Sequence, residues 1–182
     1  NTVFVLTGDH RLPEIPMSTR LSRYYVPLVI LSPKLKAPAR FKAVSSHFDI
    51  APSLLAFLAN GYGLKTPRRV TWIGSGLDTT PDFRSVQTLP LMQTKTDLVD
   101  FISGGWYLNQ GVVYKIGDSM QITRSDDKEA LRVMTEKFAA FKAANEVVAS
   151  TNKLMPEGAA GDLAPYVKEE RLKLPDAVND SL

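Results

Sequence analysis

Between residues 98 and 123 the chain alternates four short β-type runs with turn residues, and that spacing constrains the fold more than any other feature. The runs are 98–102, 106–108, 112–116 and 120–123, separated by Gly104-Gly105, Asn109-Gln110-Gly111 and Gly117-Asp118. Connections this short join antiparallel neighbours, so the pattern predicts a meander. Ser125-Asp126-Asp127 then caps a helix predicted over 128–153, with its acids at the positive end of the helix dipole. Leu131, Met134, Phe138, Phe141 and Val148 follow three/four spacing, with Asn145 on the same stripe, and predict one buried face laid on the meander. Pro156 and Gly158 close the helix, and the remainder to Leu182, with Pro165 and Pro175, reads as a wrapping arm or a partly disordered tail.

The amino-terminal stretch NTVFVLTGDH carries the chemistry. Val3, Phe4, Val5 and Leu6 have the composition of a strand buried on both faces. Gly8 lets the chain turn, and Asp9 and His10 follow side by side at the strand's exit, where open α/β sheets bind their ligands. A carboxylate next to an imidazole suits a divalent cation such as Zn²⁺ or Mn²⁺. The same dipeptide also serves as a turn with a helix cap, and the residues alone leave both readings open.

Pro13 and Pro16 make the next segment a surface loop, with Arg11, Arg20 and Arg23 on it or just after it. A guanidinium fork binds phosphate or sulfate through two bonds, although each arginine taken singly reads first as a solvated surface side chain. Residues 25–32 (YVPLVILS) predict a second strand, ended by Pro33, and 41–44 a short third one. Asp49 as N-cap and Pro52 in the first turn predict a helix over 50–61, with Ile50, Leu54, Leu55 and Leu58 as its apolar stripe and Asn60-Gly61 as its stop. His47, just ahead of that helix, is placed either to hold an anion or to pack against the neighbouring turn. The segment 63–90 is loop-rich, with a brief strand over 70–73 anchored by Trp72, and with Gly74 and Gly76 marking tight backbone. Strand, loop, strand, helix is the rhythm of an α/β layer. The expected organisation is an α/β domain over 1–90, a sheet-plus-helix subdomain over 91–155 and a tail over 156–182.

Composition removes several classes. The 182 residues contain no cysteine, which excludes disulfide scaffolds, thiol nucleophiles and Cys-zinc sites, and only two histidines, which excludes a multi-histidine cage. Residues 1–80 hold ten Lys/Arg against four acids, a balance of +6, leaving −3 for the rest of a +3 chain. A basic first half fits an anionic substrate as well as a solvated face. No Lys/Arg run interleaved with aromatics is present, so nucleic acid is not an expected partner. No apolar stretch reaches a membrane-spanning length of about 18 residues. The chain opens inside a strand, which predicts a piece of a longer protein.

Taken together, TVFVLTGDH, YVPLVILSP and SSHFDIAPSLLAFL resemble the carboxyl-terminal part of sulfatases and their relatives in the alkaline phosphatase superfamily. The resemblance is closest to the lipoteichoic-acid-synthase-like phosphoglycerol transferases and covers residues 1–80 by motif; beyond 97 it is weaker, a small antiparallel sheet and a long helix resembling the family's carboxyl-terminal subdomain. It implies an alkaline-phosphatase-like α/β fold and metal-assisted displacement at phosphorus or sulfur. It makes Asp9 and His10 metal ligands; Arg11, Arg20, Arg23 and His47, on the reading of the residues alone, are the candidates for binding an anionic phosphate or sulfate ester. Histidine at the second position favours the phosphoryl-transfer branch over Ca²⁺ sulfatases. Where the two-zinc enzymes carry a further histidine, this chain reads Arg23-Tyr24-Tyr25, which favours one metal: Mn²⁺, Mg²⁺ or Zn²⁺, or Ca²⁺ in a true sulfatase. The family's nucleophile lies upstream of the matched region, so the catalytic partner is an N-terminal half of the same protein, anchored by membrane helices of its own and acting outside the cytoplasm, in the periplasm or cell envelope. Cysteine or serine in a formylglycine motif there means a sulfatase, and threonine a transferase. The rival class is a non-catalytic binding or scaffolding module in which Asp9 caps a turn and His10 packs.

Overall fold

The computed structural model describes residues 2–12, 14–66, 70, 72–93 and 96–153. The chain is mixed α/β, with seven strands and two α-helices among the described residues, and every strand pairing is antiparallel. It divides into two compact units. One joins Asn1–Val44 to Thr80–Thr135, and the other joins Ser45–Thr79 to the chain from Glu136 onward. The expected boundary at 90/91 falls inside a strand of the first unit, because segments distant in sequence share one core there.

That core is built on the predicted meander. Strands β3 (Thr88–Met92), β4 (Leu98–Ser103), β5 (Trp106–Asn109), β6 (Val112–Ile116) and β7 (Ile122–Ser125) lie side by side in chain order. The turn between β5 and β6 has two residues, Gln110 and Gly111, both at positive φ (48° and 76°), the geometry whose twist matches antiparallel strands. On one face Leu89, Ile102, Tyr107 and Tyr114 form a cross-strand row. Leu21 and Val44 join Leu89, Ile102, Tyr107 and Ile116 in one buried cluster. Leu21 arrives on a short 3-10 turn, Leu21–Tyr24. Val44 is tied in by its N–H, which donates to the Arg84 carbonyl (2.8 Å). The run 41–44 is therefore not a strand; it is held by one buried side chain and that bond. Sequence reading missed β3, since Pro90 breaks its pattern. As the edge strand, β3 needs no N–H from Pro90 on its open side.

In the same unit β1 (Phe4–Thr7) pairs with β2 (Leu28–Leu31), in register Phe4 to Leu31 and Leu6 to Val29. The expectation that β1 is buried on both faces is overturned. Phe4, Leu6, Val29 and Leu31 share one face of this two-stranded ribbon and remain 57%, 54%, 44% and 51% exposed. Val5, Leu28 and Ile30, on the other face, are half-buried. A strand is buried on both faces only inside a covered sheet, and this ribbon has two strands.

The second unit is organised by Asp49 and α1 (Ile50–Tyr62). Asp49 does not cap α1 through its side chain. Its fully buried carboxylate instead accepts the Ser46 N–H (2.7 Å), the Ser46 hydroxyl (2.8 Å), the Ser75 N–H (2.9 Å) and the Gly76 N–H (3.2 Å). Gly74 passes so close that an added Cβ would stand 2.0 Å from the Phe48 carbonyl oxygen. The expected tight backbone at Gly74 and Gly76 is thus explained. Of the expected 70–73 strand, Val70, Trp72 and Ile73 are not in a strand and Thr71 lies outside the described residues. The helix runs one residue past Asn60-Gly61 to Tyr62 and is capped by Gly63, whose left-handed conformation (φ 65°) lets its N–H reach the Ala59 carbonyl. Its buried residues are Pro52 and Ala56, while Leu58 is exposed, so the expected large-residue stripe is rotated from the packed edge.

Helix α2 (Lys128–Thr151) starts where the sequence places it, the Asp127 carboxylate accepting the Ala130 N–H (2.9 Å). Met134 and Phe138 are buried, Leu131, Phe141 and Val148 half-buried, and Asn145 is exposed. The expected helix stop at Pro156 and the tail lie outside the described residues.

Candidate functional site

Strand β1 ends at Thr7, and Gly8 turns the chain so tightly that a Cβ there would meet the His10 carbonyl oxygen at 3.1 Å. Asp9 and His10 emerge from this turn with side chains 90% and 70% exposed. The Asp9 Oδ1 accepts the His10 N–H (3.0 Å), and its Oδ2 lies 3.6 Å from His10 Nε2. On the other side of the ring, His10 Nδ1 is 2.7 Å from the Arg11 carbonyl oxygen. A carbonyl only accepts, so Nδ1 carries the proton of that bond and a neutral ring keeps its lone pair on Nε2, the nitrogen nearer Asp9. Fixing a histidine through its second nitrogen is how proteins orient a metal-ligating imidazole. Two metal–ligand bonds of about 2.1 Å at a tetrahedral angle separate their ligand atoms by about 3.4 Å, close to the observed gap. The donor set therefore fits a divalent cation as far as two ligands go. No group of three His, Asp or Glu suited to a metal occurs among the described residues.

The remaining candidates separate. The Arg11 guanidinium folds onto its own loop, Nη1 donating to the carbonyls of Leu12 (2.8 Å) and Ile15 (2.5 Å). Arg20 is exposed and donates from Nη1 to Asn109 Oδ1 (2.7 Å). Arg23 is half-buried, and its side chain has no hydrogen-bond or ion-pair partner among the described residues. His47 lies exposed in the second unit, on the 3-10 turn His47–Asp49.

Sequence reasoning missed the polar cluster behind Arg20. Asp100, on β4, is fully buried. It accepts bonds from the Tyr24 hydroxyl, the Asn109 amide and the Gln93 amide, the last at 2.9 Å. Burial pushes the Tyr24 phenol well above its usual range, and its bond to Asp100 and the charge of that carboxylate push the same way. The Tyr107 phenol is raised by burial first, then by the Asp100 charge and the nearness of that carboxylate as an acceptor, and its buried hydroxyl makes no hydrogen bond of ordinary geometry among the described residues. The signal was an acid in the middle of the apolar run Leu-Val-Asp-Phe-Ile.

No protein-family model, curated protein or solved structure matches this chain.

Proposed function

We propose that this chain is the carboxyl-terminal part of a sulfatase-like domain of the alkaline phosphatase superfamily, whose whole protein transfers phosphoglycerol or a related phospho-group. Asp9 and His10 supply two ligands to one divalent cation, Mn²⁺, Mg²⁺ or Zn²⁺. The observation that carries this reading is the His10 ring, fixed through Nδ1 with Nε2 facing the Asp9 carboxylate. When bound, such a cation takes up charge on the transferred group and activates the nucleophile. The chain's own residues orient the ester through arginine, and the nucleophile comes from the preceding half of the domain. The uncovered apolar face of the β1–β2 ribbon supports a seat for that half. Histidine beside Asp9 supports phosphoryl transfer over sulfate-ester hydrolysis. The whole protein acts outside the cytoplasm, anchored through helices of its own; no described helix here is long and apolar enough to cross a membrane.

The two histidines make the test clean. Mn²⁺ titrated into the chain is expected to broaden the imidazole resonances of His10 while sparing His47. Binding should be weak, with a Kd of roughly 1 mM, as suits a cation held by few protein ligands. Asp9→Ala should abolish the broadening, and equal broadening of both histidines would falsify the assignment. Tight stoichiometric binding would show a complete site and contradict the need for a second half.

A further inference from the structure

We propose that Asp100 and Asn109 are positioning residues that hold the Arg20 guanidinium as a pre-oriented receptor for a tetrahedral oxyanion, the phosphate or sulfate group of the ester. This rests on the substrate class of the function proposed above, though not on its metal.

One amide links the buried carboxylate to the arginine. Asp100 can only accept hydrogen bonds, and Arg20 can only donate them. Asn109 lies between the two, so its NH₂ must face the buried carboxylate and its oxygen must face the guanidinium. Asp100 is fully buried and Asn109 only 2% exposed, so neither can turn to water for other partners. The three groups bonded to Asp100 are neutral, and its nearest bonded cation is Arg20, one amide away. The carboxylate charge thereby polarises the amide towards the arginine. Among the described residues Arg20 bonds through Nη1 alone, and the residue is exposed, which leaves further N–H groups of the restrained fork for a ligand. Arg20 also sits one 3-10 repeat before Arg23. Residues three apart eclipse on a 3-10 helix, which sets the two residues along the same edge of the turn. Leu21 and Tyr24, on the next edge, anchor the turn in the core. A guanidinium restrained before the ligand arrives loses less freedom on binding.

The test uses the full chain in EDTA, so that metal binding plays no part, and titrates inorganic phosphate and, separately, inorganic sulfate against the arginine side-chain NMR signals. Saturable binding of either anion at Arg20 is expected. Arg20→Gln should weaken it about tenfold, the loss of a charge-assisted bond. Asp100→Asn keeps the volume but can donate to Asn109 and release Arg20; it should weaken binding about threefold with Arg20 still present. The double variant should be no weaker than Arg20→Gln alone. Wild-type affinity in a folded Asp100→Asn protein, or additive losses in the double variant, overturns the positioning role. Wild-type affinity in Arg20→Gln overturns the receptor. If Asp100→Asn does not fold, Asn109→Gln, which keeps the amide and shifts its reach, is judged by the same criteria. Because the titration is run in EDTA, failure here and failure of the metal assignment are read separately.

Discussion

Asp100 and Asn109 stand directly opposite each other on adjacent strands, and the asparagine amide donates into the buried carboxylate. Around this pair two tyrosines meet the same charge on unequal terms. The Tyr24 hydroxyl donates to Asp100, whereas the buried Tyr107 hydroxyl makes no hydrogen bond of ordinary geometry among the described residues. Tyr24→Phe is expected to destabilise the chain by about 1.5–3 kcal/mol, the value of a hydrogen bond to a charged group. Tyr107→Phe removes an unsatisfied polar atom and should be neutral or stabilising by about 1 kcal/mol. Denaturant melts of the two single variants check the contrast, and a large loss for Tyr107→Phe would show a hydrogen bond at that hydroxyl.

The same tyrosines set the alkaline limit. Both phenols have folded pKa values raised above the ordinary 10.0. The unfolded chain therefore releases these protons first as pH rises. Their contribution to stability is full below pH 10 and is lost above it, at up to about 1.4 kcal/mol per pH unit for each phenol. Melting temperature should stay level from pH 7 to 9 and fall beyond 10, with a shallower fall in Tyr24→Phe. An unchanged slope in that variant would remove Tyr24 from the account.

In the second unit, Asp49 gathers donors from two segments. Asp49→Ala leaves a buried hole and removes the acceptor shared by the Ser75 and Gly76 N–H groups and by Ser46, and should destabilise by about 3 kcal/mol or more. Gly74→Ala should be comparably harmful for a different reason, since backbone must move to admit its methyl group. Thermal melts of both report the effect. A tolerated Gly74→Ala would mean that the loop yields at little cost.

Local chemistry made the meander legible. Each turn carries residues that favour it, and each run pairs with its neighbour, so sequence order and spatial order coincide. The α2 cap at Asp127 was legible for the same reason. Strand β3 was not, because its Pro90 is a breaker everywhere except on an edge. Asp49 was recognised as a helix-start residue, but its partners lie 26 and 27 residues later, a distance no local pattern spans. At the site, Asp9 and His10 could be named from the sequence. The proton on Nδ1 could not, since it depends on where the Arg11 carbonyl points. Arg20 was one arginine among several until Asn109 and Asp100 were seen behind it.

The β1–β2 ribbon supplies a final test, because composition and burial disagree there. Phe4, Leu6, Val29 and Leu31 would each contribute about 1.5–3 kcal/mol if buried in a covered sheet. Exposed as they are, they contribute little within this chain. Replacing Leu6 and Val29, cross-strand partners on the open face, with threonine keeps or raises β propensity and should change stability by less than about 1 kcal/mol. The same pair on the half-buried face, Val5 and Ile30, should cost distinctly more when replaced by threonine. Binding of a hydrophobic dye should fall in the Leu6/Val29 variant and not in its counterpart. Equal destabilisation by both pairs would mean that the open face is already covered within this chain, and the proposed seat for a preceding half of the domain would then be lost.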